Sequence, residues 1–315
     1  MSPVACRALA AHPLQVYAMP GNEARAEALV AGLADAAQLA QLELHRFPDG
    51  ESLVRVQAPR GPAALVCTLQ DPDARSVPLL MAAATLRELG ATRLGLVAPY
   101  LAYMRQDRAF APGQAVSARI YARWLSQHFD WLITVDPHLH RIASLAEVYT
   151  LRSRVVHAAG PIARWIGAEV AHPLLIGPDA ESRQWVADVA ARVAAPMLVL
   201  HKQRRGDREV SSELPDMRRW RGRTPVLLDD IASSGATLAA VLGPLRAQGL
   251  QGAVCVVTHG LFAPGALQRL RGAGAARVAC SDSVDAPAGV ERIGLDAELV
   301  DALRGIGAAR SVEAP

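Results

Sequence analysis

Short apolar runs of strand character alternate with longer alanine- and leucine-rich stretches along the whole chain. In the first half, LQVYAMP precedes a helical stretch from Glu23 to Leu42, ALVCTL one from Val77 to Leu89, and RLGLVAPY one from Ala115 to His128. In the second half, LLIGPD leads into a helix through Arg192 and MLVLHK into a polar loop. PVLLDD then leads into a helix through Gln248, followed by the run AVCVVTHG. Strands that are apolar on both faces and alternate with helices predict mainly parallel sheets covered by helices on both sides. The expected class is therefore α/β, doubly wound. Both halves repeat strand, polar or acidic turn, then helix, which predicts two similar domains, 1–154 and 155–315, joined near Leu151 to His157. No Gly/Pro-rich linker separates them, so a close interdomain contact with a site in the cleft is expected.

Composition narrows the function classes. The 315 residues exceed one ordinary core, and two domains of about 150 residues are the natural division. With 51% hydrophobic and 20% charged residues the chain is globular rather than a flexible scaffold. Its 33 basic and 30 acidic residues nearly balance. The arginines form local clusters and no continuous stripe, which argues for a small phosphorylated ligand and against nucleic acid. Cys6, Cys67, Cys255 and Cys280 are widely spaced, with neither disulfide-framework nor zinc spacing. No run approaches the ~18 apolar residues of a membrane span, and the N-terminus lacks a leader's apolar segment. The cytoplasm is the expected compartment.

Six polar motifs follow apolar strand-like runs: PDGES, YMRQDR, DPHLHR, GPDAES, HKQRRGDREV and DDIASSGAT. Ligands of doubly wound sheets gather beyond the carboxyl ends of the strands, so the shared position pools these motifs into one site. In PVLLDDIASSGATL, residues Ser233, Ser234, Gly235, Ala236 and Thr237 offer backbone N–H groups and hydroxyls at the opening of a helix, where the dipole favours anions. Asp229 and Asp230 would repel a phosphate lying on them, so their place is at ribose hydroxyls or a metal ion. Taken alone, the segment is also what a strand–helix turn with a polar cap requires.

The other motifs carry the same duality. PDG is an ordinary turn, although Phe47 offers a ring for stacking and Asp49 and Glu51 offer acceptors. Arg105 and Gln106 suit polyphosphate or a solvated loop. His138 is a core histidine or a ligand beside a metal–nucleotide, and Asp179 stands where an N-cap of the following helix would. Lys202 and Arg204 sit in a charged segment whose exposure suits either a plain surface loop or a flap that closes on substrate.

Together, in order and spacing from about Phe47 to Gly260, the motifs resemble those of the ribose-phosphate diphosphokinase (phosphoribosyl diphosphate synthetase) family. The resemblance implies two type I phosphoribosyltransferase-like domains. It also implies transfer of the diphosphoryl group of ATP to the anomeric hydroxyl of ribose 5-phosphate, with Mg2+ as cofactor. By the same resemblance Phe47, Asp49 and Glu51 bind adenine across a subunit interface, which requires a homo-oligomer, a dimer or hexamer. Arg105, Gln106 and His138 then contact the nucleotide, His138 and Asp179 the metal, Asp229, Asp230 and Ser233 to Thr237 the ribose 5-phosphate, and Lys202 and Arg204 the group in flight. Two departures stand out: Ala109 and Phe110 follow the RQDR core where relatives often carry lysine and an acid, and Ser233 stands where many carry a third acid. A phosphoribosyltransferase would account for the Asp229–Thr237 loop but not for FPDGE and RQDR. A catalytically silent regulatory homologue fits poorly with the retained Lys202, Arg204, His138, Asp229 and Asp230.

Overall fold

The computed structural model describes residues 12–308 apart from His140, His201, residues 206–208 and Glu213; of residues 202–205, 209–212, 307 and 308 it describes the backbone only. The chain divides into two compact units, one running to Val156 and resuming at Asp296, the other from His157 to Leu295. The first contains β1 (Leu14–Ala18), α1 (Glu23–Leu33), β2 (Ala37–Ala40), β3 (Leu42–Arg46), β4 (Ser52–Val56), β5 (Ala63–Val66), α2 (Pro72–Glu88), β6 (Leu94–Ala98), α3 (Ser117–His128), β7 (Trp131–Val135) and β8 (Arg152–Val156). The second contains α4 (Ala159–Glu169), β9 (Pro173–Gly177), α5 (Arg183–Val193), β10 (Met197–Val199), β11 (Lys202–Arg205), β12 (Glu209–Ser212), β13 (Thr224–Ala232), α6 (Ala236–Ala247), β14 (Ala253–Gly260), α7 (Ala266–Ala273), β15 (Ala275–Ser281) and β16 (Glu291–Ile293). The last helix, α8 (Asp296–Ala308), belongs to the first unit.

Each unit is a parallel six-stranded sheet, ordered β2-β1-β5-β6-β7-β8 in the first and β10-β9-β13-β14-β15-β16 in the second. With the hairpins set aside, both sheets read 2-1-3-4-5-6 in chain order, and each inserts one antiparallel hairpin, β3–β4 or β11–β12, between its second and third strands. The faint similarity of the two halves is thus a full correspondence of topology. Every residue of the central strands β6, β7 and β14 is buried, as expected where helices cover both faces of a parallel sheet.

Local pattern and structure part in three places. The helix expected from Glu23 to Leu42 stops at Leu33; Ala34 takes a left-handed backbone (φ +49°), and Ala37–Ala40 pairs with the edge of β1. Helix preference for Ala and Gln is weak enough for an available sheet edge to override it. The last helix returns to the first unit, so the continuous halves 1–154 and 155–315 differ from the compact units in α8. There Arg25 pairs with Asp296, and Arg304 Nη2 donates to the Gly32 carbonyl at 2.7 Å. Finally, β13 runs past the aspartates to Ala232, further than its apolar run predicts.

Gly95 in β6 faces Trp131 across the β6–β7 ladder, and a Cβ there would overlap the indole. Trp131 is 4% exposed and has no room to retreat. Gly95→Ala should therefore cost about 2–3 kcal/mol of stability by overpacking, read as a lower urea midpoint; an unchanged midpoint would show that the ring shifts freely.

Candidate active site

The sheet of the second unit sets up a ligand site at the end of β13. From β9 the chain crosses to β10 on one side and then returns past β9 to β13 on the other. Crossovers that diverge in this way open a crevice at the carboxyl ends of the strands. Pairing of β13 with β9 ends at Leu227 and Ile176, while pairing with β14 continues through Ile231–His259 and Ala232–Gly260. Asp229 to Ala232 thus overhang β9, held from the β14 side alone. This overhang lifts both aspartates to the rim.

Beyond it, Ser233 and Ser234 lead to Gly235, which takes a left-handed conformation (φ +70°) as N-cap of α6. Its missing Cβ matters twice: the conformation disfavours L side chains, and a Cβ would lie 3.2 Å from Leu270 Cγ. Ala236, rather than Thr237, opens the helix, and its N–H donates to Ser234 Oγ at 3.3 Å. Ser234, Ala236 and Thr237 are exposed and Ser233 is half-buried. The site therefore combines hydroxyls with the N–H groups of a helix's first turn, which have no intrahelical acceptor.

Three carboxylates influence one another beside this loop. Asp229 accepts from Asp230 N–H at 3.1 Å, and Asp230 from Ile231 N–H at 2.8 Å. Burial first, then Asp230 and Asp179, push the Asp229 carboxyl up to about 8. Asp179, beyond the end of β9, accepts from Glu181 N–H (3.1 Å) and Ser182 N–H (3.3 Å), capping the turn that enters α5. Its capping role is thus real, and it coexists with an electrostatic effect on Asp229. Among the described residues no three of His, Cys, Asp and Glu converge to hold a metal ion. Carboxylates crowded at one loop suit a cation that arrives with phosphate ligands, as Mg2+ commonly does.

In the first unit the loop after β6 turns sharply at Tyr103 (φ +63°), buries Met104 and leaves Arg105 and Gln106 exposed. Ser117 Oγ donates to Gln106 Oε1 at 2.5 Å. Asp107 then turns inward, its side chain 1% exposed, and receives Arg141 Nη1 on Oδ1 and Oδ2 at 3.2 and 3.3 Å. Because Arg141 closes the DPHLHR segment after β7, this ion pair ties the loop of Arg105 and Gln106 to the loop of His138. Asp136 begins that second loop with φ +29°, and His138 is half-buried.

Phe47, Asp49 and Glu51 occupy the tip of the β3–β4 hairpin, outside the main sheet. Phe47 N–H donates to the Glu51 carbonyl (2.8 Å), Gly50 N–H to the Phe47 carbonyl (2.9 Å) and Glu51 N–H to Asp49 Oδ1 (3.1 Å). These bonds make a compact turn that leaves the Phe47 ring 39% exposed, edge-on to His45. Lys202 and Arg204 lie on β11, with Arg204 opposite Val210; their side chains lie outside the described residues, as does the tip at residues 206–208. Ser117 and Arg269 lie outside the motifs, the latter bonding the Ser234 carbonyl, and Arg141 is not among the expected site residues. Only Arg141 could have been suspected, since it is the last residue of DPHLHR.

Comparison with known proteins agrees across both units. Residues 14–128 match the N-terminal domain of ribose phosphate pyrophosphokinase, and residues 153–298 match the phosphoribosyl transferase domain. The ribose-phosphate pyrophosphokinase of Methanopyrus kandleri is 34% identical over 80% of this chain and 86% of its own length. That of Saccharolobus solfataricus is 32% identical over 75% and 82%, and that of Thermococcus kodakarensis 30% over 84% and 92%. The fold matches the crystal structure of phosphoribosylpyrophosphate synthetase from Mycobacterium smegmatis with a TM-score of 0.81, at 21% identity, over 94% of this chain and 99% of that one. Both domains in one chain, and relatives matched over most of their length, show that it belongs to the ribose-phosphate pyrophosphokinase family of diphosphate-transferring enzymes.

Proposed function

We propose that the chain transfers the diphosphoryl group of ATP to the anomeric hydroxyl of ribose 5-phosphate, giving 5-phosphoribosyl 1-diphosphate and AMP. The observation that carries this is the overhanging end of β13, where two carboxylates stand immediately before a glycine-capped, hydroxyl-lined helix start. The N–H groups and hydroxyls of Ser233 to Thr237 bind the 5-phosphate. Asp229 and Asp230 accept hydrogen bonds from the ribose hydroxyls, and this orients the anomeric oxygen. That oxygen attacks the β-phosphorus as its proton passes to solvent, the bond from the β-phosphorus to the α–β bridging oxygen breaks, and AMP leaves carrying the bridging oxygen.

The donor is held by the first unit's set. Phe47 stacks on adenine, Asp49 and Glu51 accept from the exocyclic amine or ribose, and Arg105, Gln106 and His138 take the phosphates. His138 and Asp179 would hold the Mg2+ that arrives with the nucleotide, which would offset phosphate charge. The carboxylates crowded around Asp229 fit a cation on the second unit, and half-buried His138 carries an imidazole suited to such an ion on the first. Lys202 and Arg204 neutralise charge on the transferring group. Catalysis of this kind rests on alignment and fixed cations rather than on a dedicated base.

Adenine held by the hairpin tip across a subunit boundary makes the active form a homo-oligomer, so light scattering should give a mass above the monomer. No described helix is long and apolar enough to cross a membrane, and phosphorylated substrates accord with action in the cytoplasm. The direct test supplies ribose 5-phosphate, Mg2+ and a panel of nucleotide donors, and follows AMP and 5-phosphoribosyl 1-diphosphate. Stoichiometric formation of both from ATP is expected; their absence at every phosphate and Mg2+ level would overturn the proposal.

A further inference from the structure

The loop after β13 is held from behind. The Ser233 carbonyl accepts from Ala263 N–H at 3.0 Å, and the Ser234 carbonyl from Arg269 Nη1 at 2.5 Å. Both donors belong to the segment that leaves β14 and enters α7, and Leu270, the next residue of α7, is fully buried against Gly235. Across a trans peptide the C=O and N–H bonds point in opposite directions, and the described residues contain no cis peptide. Holding the Ser233 carbonyl toward Ala263 therefore turns the Ser234 N–H outward. Holding the Ser234 carbonyl toward Arg269 turns the Gly235 N–H the same way. Two successive outward N–H groups, continued by the first turn of α6, make a concave array of donors suited to an anion.

We propose that Arg269 is a positioning residue for the sugar-phosphate loop: its guanidinium anchors the Ser234 carbonyl and so aims the Gly235 N–H at the 5-phosphate. The inference rests on the reading of residues 233–237 as the 5-phosphate site. Of the two anchors, Ala263 acts through its backbone, so the side chain of Arg269 is the one that substitution can remove. A charged donor also makes the stronger bond of the pair. Arg269 is itself exposed and outside the packed core of α7, so its loss need not disturb the fold.

Steady-state kinetics of the full-length chain test this with Arg269→Met, Arg269→Lys and, within the loop itself, Thr237→Val. Arg269→Met should raise KM for ribose 5-phosphate about tenfold, with kcat and KM for ATP within about twofold of wild type. Arg269→Lys should restore that KM to within about threefold, because an ammonium can still donate to the carbonyl. A merely structural loss would move both KM values together and would not be rescued by lysine. Wild-type KM in Arg269→Met, with a raised value in Thr237→Val, overturns the anchoring and leaves the loop's assignment standing. Wild-type KM in Thr237→Val overturns the assignment and the inference with it. Should Arg269→Met fail to fold, Arg269→Gln, too short to span to the carbonyl, decides by the ratio of the two KM values: a raised ratio supports the anchoring, an unchanged one ends it.

Discussion

Replacing Lys202 by alanine is expected to lower kcat by roughly 100- to 1,000-fold, the usual loss when one fixed donor to a developing charge is removed, while ribose 5-phosphate and nucleotide still bind. The chain itself singles this residue out: of its 33 basic residues Lys202 is the only lysine, the other 32 being arginine. Under the proposed mechanism, a compact ammonium on a flexible stem can follow a moving phosphoryl group in a way that a planar fork cannot. Lys202→Arg should accordingly recover only part of the rate. The uniqueness also offers a chemical test, since an amine-directed acylating reagent can modify a side chain at Lys202 alone. Inactivation that tracks incorporation at this position, and that ATP with Mg2+ slows, is the expected result. Full turnover in Lys202→Ala, with nucleotide still bound, would remove the flap from the mechanism.

The fold could be read wherever burial dictates composition. LGLVA, WLITV and AVCVVTHG are apolar on both faces because helices cover both sides of the strands they form, and that requirement is written locally. The edge strand AQLA has one neighbour and two exposed positions, so nothing local separates it from the helix before it. The β3–β4 hairpin mixes apolar and polar residues and buries none of them fully, Leu53 even lying exposed, so its signal is weaker than that of the covered strands. The return of α8 to the first unit depends on Arg25, Gly32 and Asp296, which lie far apart in the chain.

The candidate site divides in the same way. Residues that would touch ligand cluster in short motifs after strands, and those motifs are visible in order. The bonds that hold the motifs in place are not. Arg141 reaches Asp107 across 34 positions and Arg269 reaches Ser234 across 35, separations that no local periodicity marks. Asp229 and Asp230 look like the end of a strand because acidic residues usually terminate one. In the structure β14 carries the strand past them, and only that extra pairing explains why both carboxylates stand at the rim instead of in the loop.

Asp229→Asn should separate stability from activity in opposite directions. The Asp229 carboxyl is pushed up to about 8 by burial, Asp230 and Asp179, whereas in the unfolded chain it titrates near 4, about the usual carboxylate value. Between those values the folded chain retains a proton that the unfolded chain has lost, so the stabilising contribution is complete below about 4 and falls away as pH rises through about 8. Without substrate, the wild type should lose stability over that window. The amide of the variant would not titrate, so the variant should be the more stable protein at pH 8, by on the order of 2 kcal/mol or about 5 °C in Tm. Its activity should move the other way. Ribose hydroxyls and a bound cation would draw Asp229 into its ionised form, and an amide cannot supply that charge, so kcat/KM for ribose 5-phosphate should fall roughly 10- to 100-fold. Thermal melts from pH 5 to 9 beside ribose 5-phosphate saturation curves measure both effects. A variant that melts below wild type at pH 8 and keeps its kcat/KM would show that Asp229 neither carries the electrostatic strain nor meets the sugar. The combination expected, a tighter fold and a poorer enzyme, is what a half-buried carboxylate kept for its ligand should produce.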